Sequence, residues 1–396
     1  MATITLDYGA AEPLLLEMAE GTIVTECRGP VGVADAAAER LVSEAVTNPS
    51  HGPPLAAHVV PGDRVAIAVS GPAPEAASAV AAVVAGLGGA GVAADGIHVL
   101  HANEGGDGPA PPPGAEAFDG SRDAATSYLT ADEAGNPLYL ARQLVDADVV
   151  VHVGGWGWNA ALGGRALSGE LWPWFSRTAA RDDLTRDLAR RGRLALPDWK
   201  ARTHDISWQL GVCASLRLVT GRNGSLHAAA FGLPDEASRL ARAAARAWCP
   251  GVDEPADLTL VSLSAPRSFV ALTRGVAAAA RVTRPSGTIC VACRVATAPG
   301  IVFQRWRQGA PLERLVHEAV GTRDKALVAD ALAARLFARA IGDRRLVLLS
   351  DLDEAAVEEL EFGHAADPDA LERLAFQADA VTVLHEADLM LPQAAD

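Results

Sequence analysis

Long apolar runs are missing from this sequence of 396 residues. Its most apolar stretches are broken by glycine and stop well short of the roughly 20 residues a bilayer-spanning helix requires, so a membrane partner is not expected. Residues 1–8 hold no basic segment leading into an apolar one, which argues against a secretory signal and for a cytoplasmic protein. Positive charge is also scarce. The 34 Lys and Arg are outnumbered by 49 Asp and Glu, for a formal net charge of -15. A nucleic-acid partner needs a basic stripe that displaces counterions, and none is expected here.

Five cysteines, an odd number spread widely, do not make a disulfide framework and suit reduced thiols. Cys290 and Cys293 form a CxxC inside the stretch 288–294, which reads as a buried strand. Alternation places the two on opposite faces, and no second Cys/His pair lies nearby to complete a zinc site, so both read as core residues. No repeat of 20 to 50 residues is present, which removes solenoids and propellers.

What is present is the balance of a globular chain: 49% hydrophobic and 21% charged residues. The length favours two domains over one core. Residues 65–70 read as a strand closed by Gly71 and Pro72, residues 75–87 as an Ala/Val helix, and 97–100 as another strand. A further strand at 149–153 ends in Gly154 and Gly155. Glycines after parallel strands mark where α/β proteins bind ligands, which singles out loops 70–75, 101–108 and 154–166. A helix over 236–248 is broken at 249–255. The expectation is therefore an α/β fold of two domains, 1–255 and 256–396, with a cleft between them. Downstream, strands at 258–263, 289–294, 346–349 and 381–384 alternate with helices at 270–282, 311–340 and 353–360.

The order and wording of these segments resemble the lactate racemase family. Residues 60–70 are similar to the family's strand leading into its Ser-Asp-x-Thr-Arg-Pro loop, and 148–154 with 162–165 to its strand and Gly-Gly-x-Lys segment. The likeness continues in order through 189–194, 204–212, the hairpin-like 216–232, 274–275 with 284–289, and 383–392, and so covers nearly the whole chain. The resemblance implies a two-domain α/β scaffold. It also implies an enzyme that interconverts 2-hydroxy acid stereoisomers through a nickel pincer nucleotide, with two histidines as general bases.

The chain departs from that pattern in the site. Gly71, Ala73 and Pro74 stand for the family's Asp, Thr and Arg; Gly106 stands for one catalytic histidine and Trp156 for the other; Ala166 stands for the lysine that tethers the cofactor. No histidine lies between His152 and His204, and no lysine precedes Lys200. A thioamide tether needs an amine and nickel needs a nitrogen donor, so no nickel pincer, no other cofactor and no metal is expected.

Other residues could carry chemistry on this scaffold. Glu104, His101 and Asp107 share the loop that holds a catalytic pair in the family, and Glu104 beside glycines could serve as a general base. The alternative is a solvated loop. His204 and Asp205 open a helix-like segment, where an Asp is commonly a cap. Arg274 stands where the family has a substrate-binding lysine, and together with Glu104 it would span the cleft; a guanidinium grips a carboxylate through two hydrogen bonds. Arg294 and His385 end strands, Arg165 follows two glycines, and Trp156 and Trp158 could wall a ligand site or simply pack. Two readings from different classes follow. One is a nickel-independent enzyme doing acid/base chemistry (isomerisation, cyclisation or elimination) on a small, anionic carboxylate or acyl compound, with self-association left open and a place in specialised biosynthesis. The other is a noncatalytic ligand-binding or regulatory protein. A true 2-hydroxyacid racemase is the third.

Overall fold

A computed structural model of the chain describes residues 3–102, 111–132 and 135–395. Two six-stranded sheets organise it. The first runs, from one edge to the other, Leu226–Gly232, Val212–Thr220, Val149–Trp156, Val65–Ser70, Ile97–Ala102 and Glu116–Ala117. Only Leu226–Gly232 is antiparallel to its neighbour, as the hairpin reading of 216–232 requires; the other pairings are parallel. Every residue of Val65–Ser70 and of Val149–Trp156 is buried, because both faces of the sheet are covered. Alternation divides them: Ile67, Val69, Val151 and Val153 join one core layer, whereas Ala66, Ala68 and Val150 join the other.

The second sheet runs Gly363–His364, Arg345–Leu349, Thr283–Ala292, Ala256–Val261, Ala380–Leu384 and Ile23–Cys27, all parallel. The expected alternation of strands and helices is found, with helices Phe269–Ala279, Leu312–Val320, Lys325–Ile341, Glu354–Glu359 and Pro368–Gln377 between or beside these strands. Cys290 and Cys293 are each 1% exposed and belong to different core layers, as alternation demands. Burial drives their thiols up, to about 12 and about 11.

A cut at residue 255 does not describe the strand pairing at the amino-terminal end. Ile23–Cys27 pairs with Ala380–Leu384, and the preceding hairpin, Thr3–Leu6 with Leu14–Glu17, lays Leu6, Leu14 and Leu16 on the second sheet's core. Each such leucine gains about 1.5–3 kcal/mol from burial, which commits the segment to that sheet. The two halves also share one apolar layer, in which Trp156, Trp158 and Trp248 pack with Val261, Leu263 and Leu272. No helix among the described residues is long and apolar enough to cross a membrane.

Candidate functional site

The glycines that end Val149–Trp156 are explained by the chain's own backbone. A Cβ on Gly155 would stand 2.2 Å from the Pro72 carbonyl oxygen, and one on Gly154 2.3 Å from that of Gly169. The loop after Val65–Ser70 and the segment that follows Val149–Trp156 itself are thus seated directly on this strand end. The absence of a Cβ on Gly154 also leaves room for Arg217, which lies opposite it in register on Val212–Thr220.

Arg217 is 3% exposed within a largely apolar strand, and a charge so enclosed must be paired. One of its guanidinium nitrogens donates to the Gly169 carbonyl and the other to Glu170 at 2.9 Å. Glu170, 8% exposed, also accepts from Arg165, whose guanidinium sits 5.5 Å from the centre of the Trp156 ring. Two arginines therefore share one carboxylate. Burial and the Arg217 charge push Arg165 down to about 9, and burial pushes Arg217 down to about 10.

These groups border a pocket of about 210 Å3. Helix Leu196–Gln209 contributes Lys200, Thr203, His204 and Ser207, which recur every three or four residues and so face one side. The start of helix Pro234–Ala244 contributes Asp235 and Ser238. Nδ1 of His204 is 3.3 Å from an Asp235 carboxylate oxygen, which leaves Nε2 as the imidazole's other functional atom. Lys200 makes no ion pair or hydrogen bond among the described residues, and burial with the Arg165 and Arg242 charges holds its amine below the usual lysine range.

The expected site residues are only partly gathered here. Arg165 and His204 meet in this pocket. His204 does not open a helix: Leu196–Gln209 begins eight residues earlier, with Pro197 in its first turn, so Asp205 is not its cap. Glu104 and Asp107 lie outside the described residues, and so does the expected pairing of Glu104 with Arg274. His101 is buried near the end of Ile97–Ala102, its imidazole held down by burial, and does not border the pocket. Trp156 and Trp158 do not border this pocket. They are 3% and 9% exposed, meet edge to face, and serve the shared apolar layer, with Trp158 Nε1 donating to the Ala245 carbonyl.

Arg294 and His385 follow strands of the second sheet and Arg274 lies within helix Phe269–Ala279; none of the three borders this pocket. Arg274 acts electrostatically on the buried Asp388, Arg294 pairs with Asp351 at 2.8 Å, and His385 Nε2 is 2.7 Å from Glu26. The pocket is lined solely by residues 165–238, so it is not in a cleft between the two halves. Lys200, Glu170 and Arg217 escaped the sequence reading. The signal for Arg217 was present, a lone charge between Leu216 and Leu218 in a buried strand.

The fold is that of lactate racemase. The chain superposes on the lactate racemase apoprotein from Thermoanaerobacterium thermosaccharolyticum with a TM-score of 0.76 at 15% identity, covering 99% of this chain and 100% of that one. A Thermotoga maritima protein of known structure matches at a TM-score of 0.62 and 12% identity, over 90% of this chain and 98% of its own. At these identities the relation is one of fold. No protein-family model and no curated protein matches the chain.

The fold kinship raises the question of a pincer cofactor, which needs an amine for its tether and an imidazole for its metal. At the position the resemblance equates with the tether stands the methyl of Ala166, 4% exposed; the core indole of Trp156 stands for a catalytic histidine, and no histidine lies between His152 and His204 to supply the metal's imidazole. Among the described residues no group of three or more His, Cys, Asp or Glu is placed to hold a metal ion. The residues present do not fit that group.

Proposed function

We propose that the chain is a nickel-independent enzyme that binds a small carboxylate or acyl compound in the 165–238 pocket and acts on it by acid/base chemistry, as an isomerase, cyclase or lyase. One observation carries this reading: Arg165, Arg217 and Lys200 line one pocket beside the His204–Asp235 pair, with Glu170 the only carboxylate among the described residues bound to its two arginines. Crowded, partly desolvated cations raise each other's free energy, and an incoming anion relieves that repulsion. Arg165 offers the anion a two-pronged donor. His204 Nε2 takes or returns a proton, while Asp235 fixes the ring through Nδ1. Asp235 is largely exposed, so its contribution is orientation more than energy.

A thermal-shift screen of small carboxylates tests the reading. A true ligand at 100 times its dissociation constant adds about 2.7 kcal/mol of stability. Arg165→Ala should remove that shift, and His204→Gln should retain it while abolishing turnover. A ligand whose shift survives Arg165→Ala binds elsewhere, and the assignment to this pocket then fails.

A further inference from the structure

The chain contains only two lysines among its 34 basic residues, Lys200 and Lys325. Arginine supplies its positive charge almost everywhere else. Lys325 has an ordinary electrostatic role, since its amine lies 2.7 Å from Asp182. Lys200 instead borders the pocket, has no carboxylate partner among the described residues, and stands one helical turn from His204. What lysine has and arginine lacks is an amine that can give up its proton and attack carbon.

Resting on the anion pocket proposed above, we infer that Lys200 is a nucleophile and that the substrate class is the 2-oxo acids: the carboxylate lies against Arg165, and the adjacent carbonyl carbon meets the Lys200 amine. Burial, then the neighbouring charges of Arg165 and Arg242, favours the neutral, reactive amine, as desolvation and adjacent cations do for other lysine nucleophiles. The amine lone pair forms the C–N bond while the carbonyl π pair moves to oxygen. A proton passes from nitrogen to that oxygen through His204, giving a carbinolamine. His204, after taking a proton from solvent, donates it to the hydroxyl, which leaves as water while the nitrogen lone pair forms the C=N bond, and the proton remaining on nitrogen returns to solvent. The sum is amine plus ketone giving imine plus water, with no change of oxidation state. The imine withdraws electrons from the adjacent carbon, so a C–H bond there can lose its proton to the same imidazole, the opening step of an elimination or cyclisation.

Sodium borohydride trapping in the presence of pyruvate, 2-oxobutyrate, glyoxylate or 2-oxoglutarate tests the assignment on the full chain. The expected result is an intact-mass gain of one 2-oxo acid less one oxygen atom, mapped by peptide digestion to Lys200. Lys200→Arg, which keeps the charge, should abolish the adduct yet retain a thermal shift with the same acid. No adduct with any of the four, or equal labelling of Lys325 and the chain's α-amine, overturns the nucleophile. If a shift persists in that case, the anion pocket stands without the imine; if Arg165→Ala leaves every shift unchanged, the pocket itself falls.

Discussion

Ser70 Oγ and His152 Nε2 lie 2.8 Å apart in the middle of the first sheet, on adjacent strands, with both side chains enclosed. The contact satisfies two polar groups that burial would otherwise leave costly. Burial, then the charges of Arg217 and Arg165, hold the imidazole well below the ordinary histidine range. The unfolded chain therefore binds a proton near 6.5 that the folded chain refuses. Stability from this group is present above that pH and is lost as the pH falls below it. Urea midpoints should drop between about pH 7 and about pH 5, and His152→Gln should flatten part of that slope. His101 and His385 are shifted in the same direction and add to it, whereas Glu386, pushed up by burial to about 7, acts in the opposite sense. An unchanged slope in His152→Gln would exclude this histidine from acid lability.

Arg217 and Glu170 are 4% and 10% exposed at their side chains, so their pairing is a buried one. Removing Arg217 leaves Glu170 to Arg165 alone, and removing Glu170 strands both arginines. Arg217→Ala should cost about 3–5 kcal/mol in denaturant unfolding. Arg217→Met, which refills the volume, should behave no better if Glu170 stays charged, and the Glu170→Gln, Arg217→Met pair should recover part of the loss. Additive losses in that double variant would contradict the shared-carboxylate arrangement.

Trp158 serves the apolar layer common to both halves. Trp158→Phe keeps most of the packing and deletes the hydrogen bond to Ala245, which should cost about 0.5–1.5 kcal/mol. Its thermal shift with a carboxylate ligand should match the wild type. Loss of ligand binding in a folded Trp158→Phe protein would return this residue to the ligand wall.

Expression alongside the enzymes that make the nickel pincer nucleotide should give a chain without stoichiometric nickel and with the intact mass of the bare polypeptide. Ala166 offers that nucleotide no amine. One nickel per chain in elemental analysis, or a mass heavier by one nucleotide, would reverse the nickel-independent reading.

Much of the scaffold was legible because buried parallel strands announce themselves as short apolar runs: Val65–Ser70, Val149–Trp156 and Ala380–Leu384 all carry that pattern. Ile23–Cys27 does not. It is an edge strand with a mixed pattern of exposure, and its partner lies at the far end of the chain, so periodicity alone could not place it. The site was less legible for a related reason. The glycines at 154 and 155 were read as room for a ligand, whereas they admit Pro72, Gly169 and Arg217. Sequence cannot distinguish an approaching substrate from an approaching loop. Nor could spacing bring Arg165 to Lys200 and Asp235, since three separate elements meet there only after packing.

The pairing of Ile23–Cys27 with Ala380–Leu384 sets an order of events at the ribosome. Glu26 and His385, in contact across that junction, are 359 positions apart. Translation at about 5–20 residues per second separates their appearance by tens of seconds. Through that interval the segment's apolar residues have no sheet to join, while the first sheet, whose last strand ends at Gly232, has all of its strands in hand. The second sheet therefore closes last and around the oldest part of the chain, and a nascent-chain chaperone would find its client there.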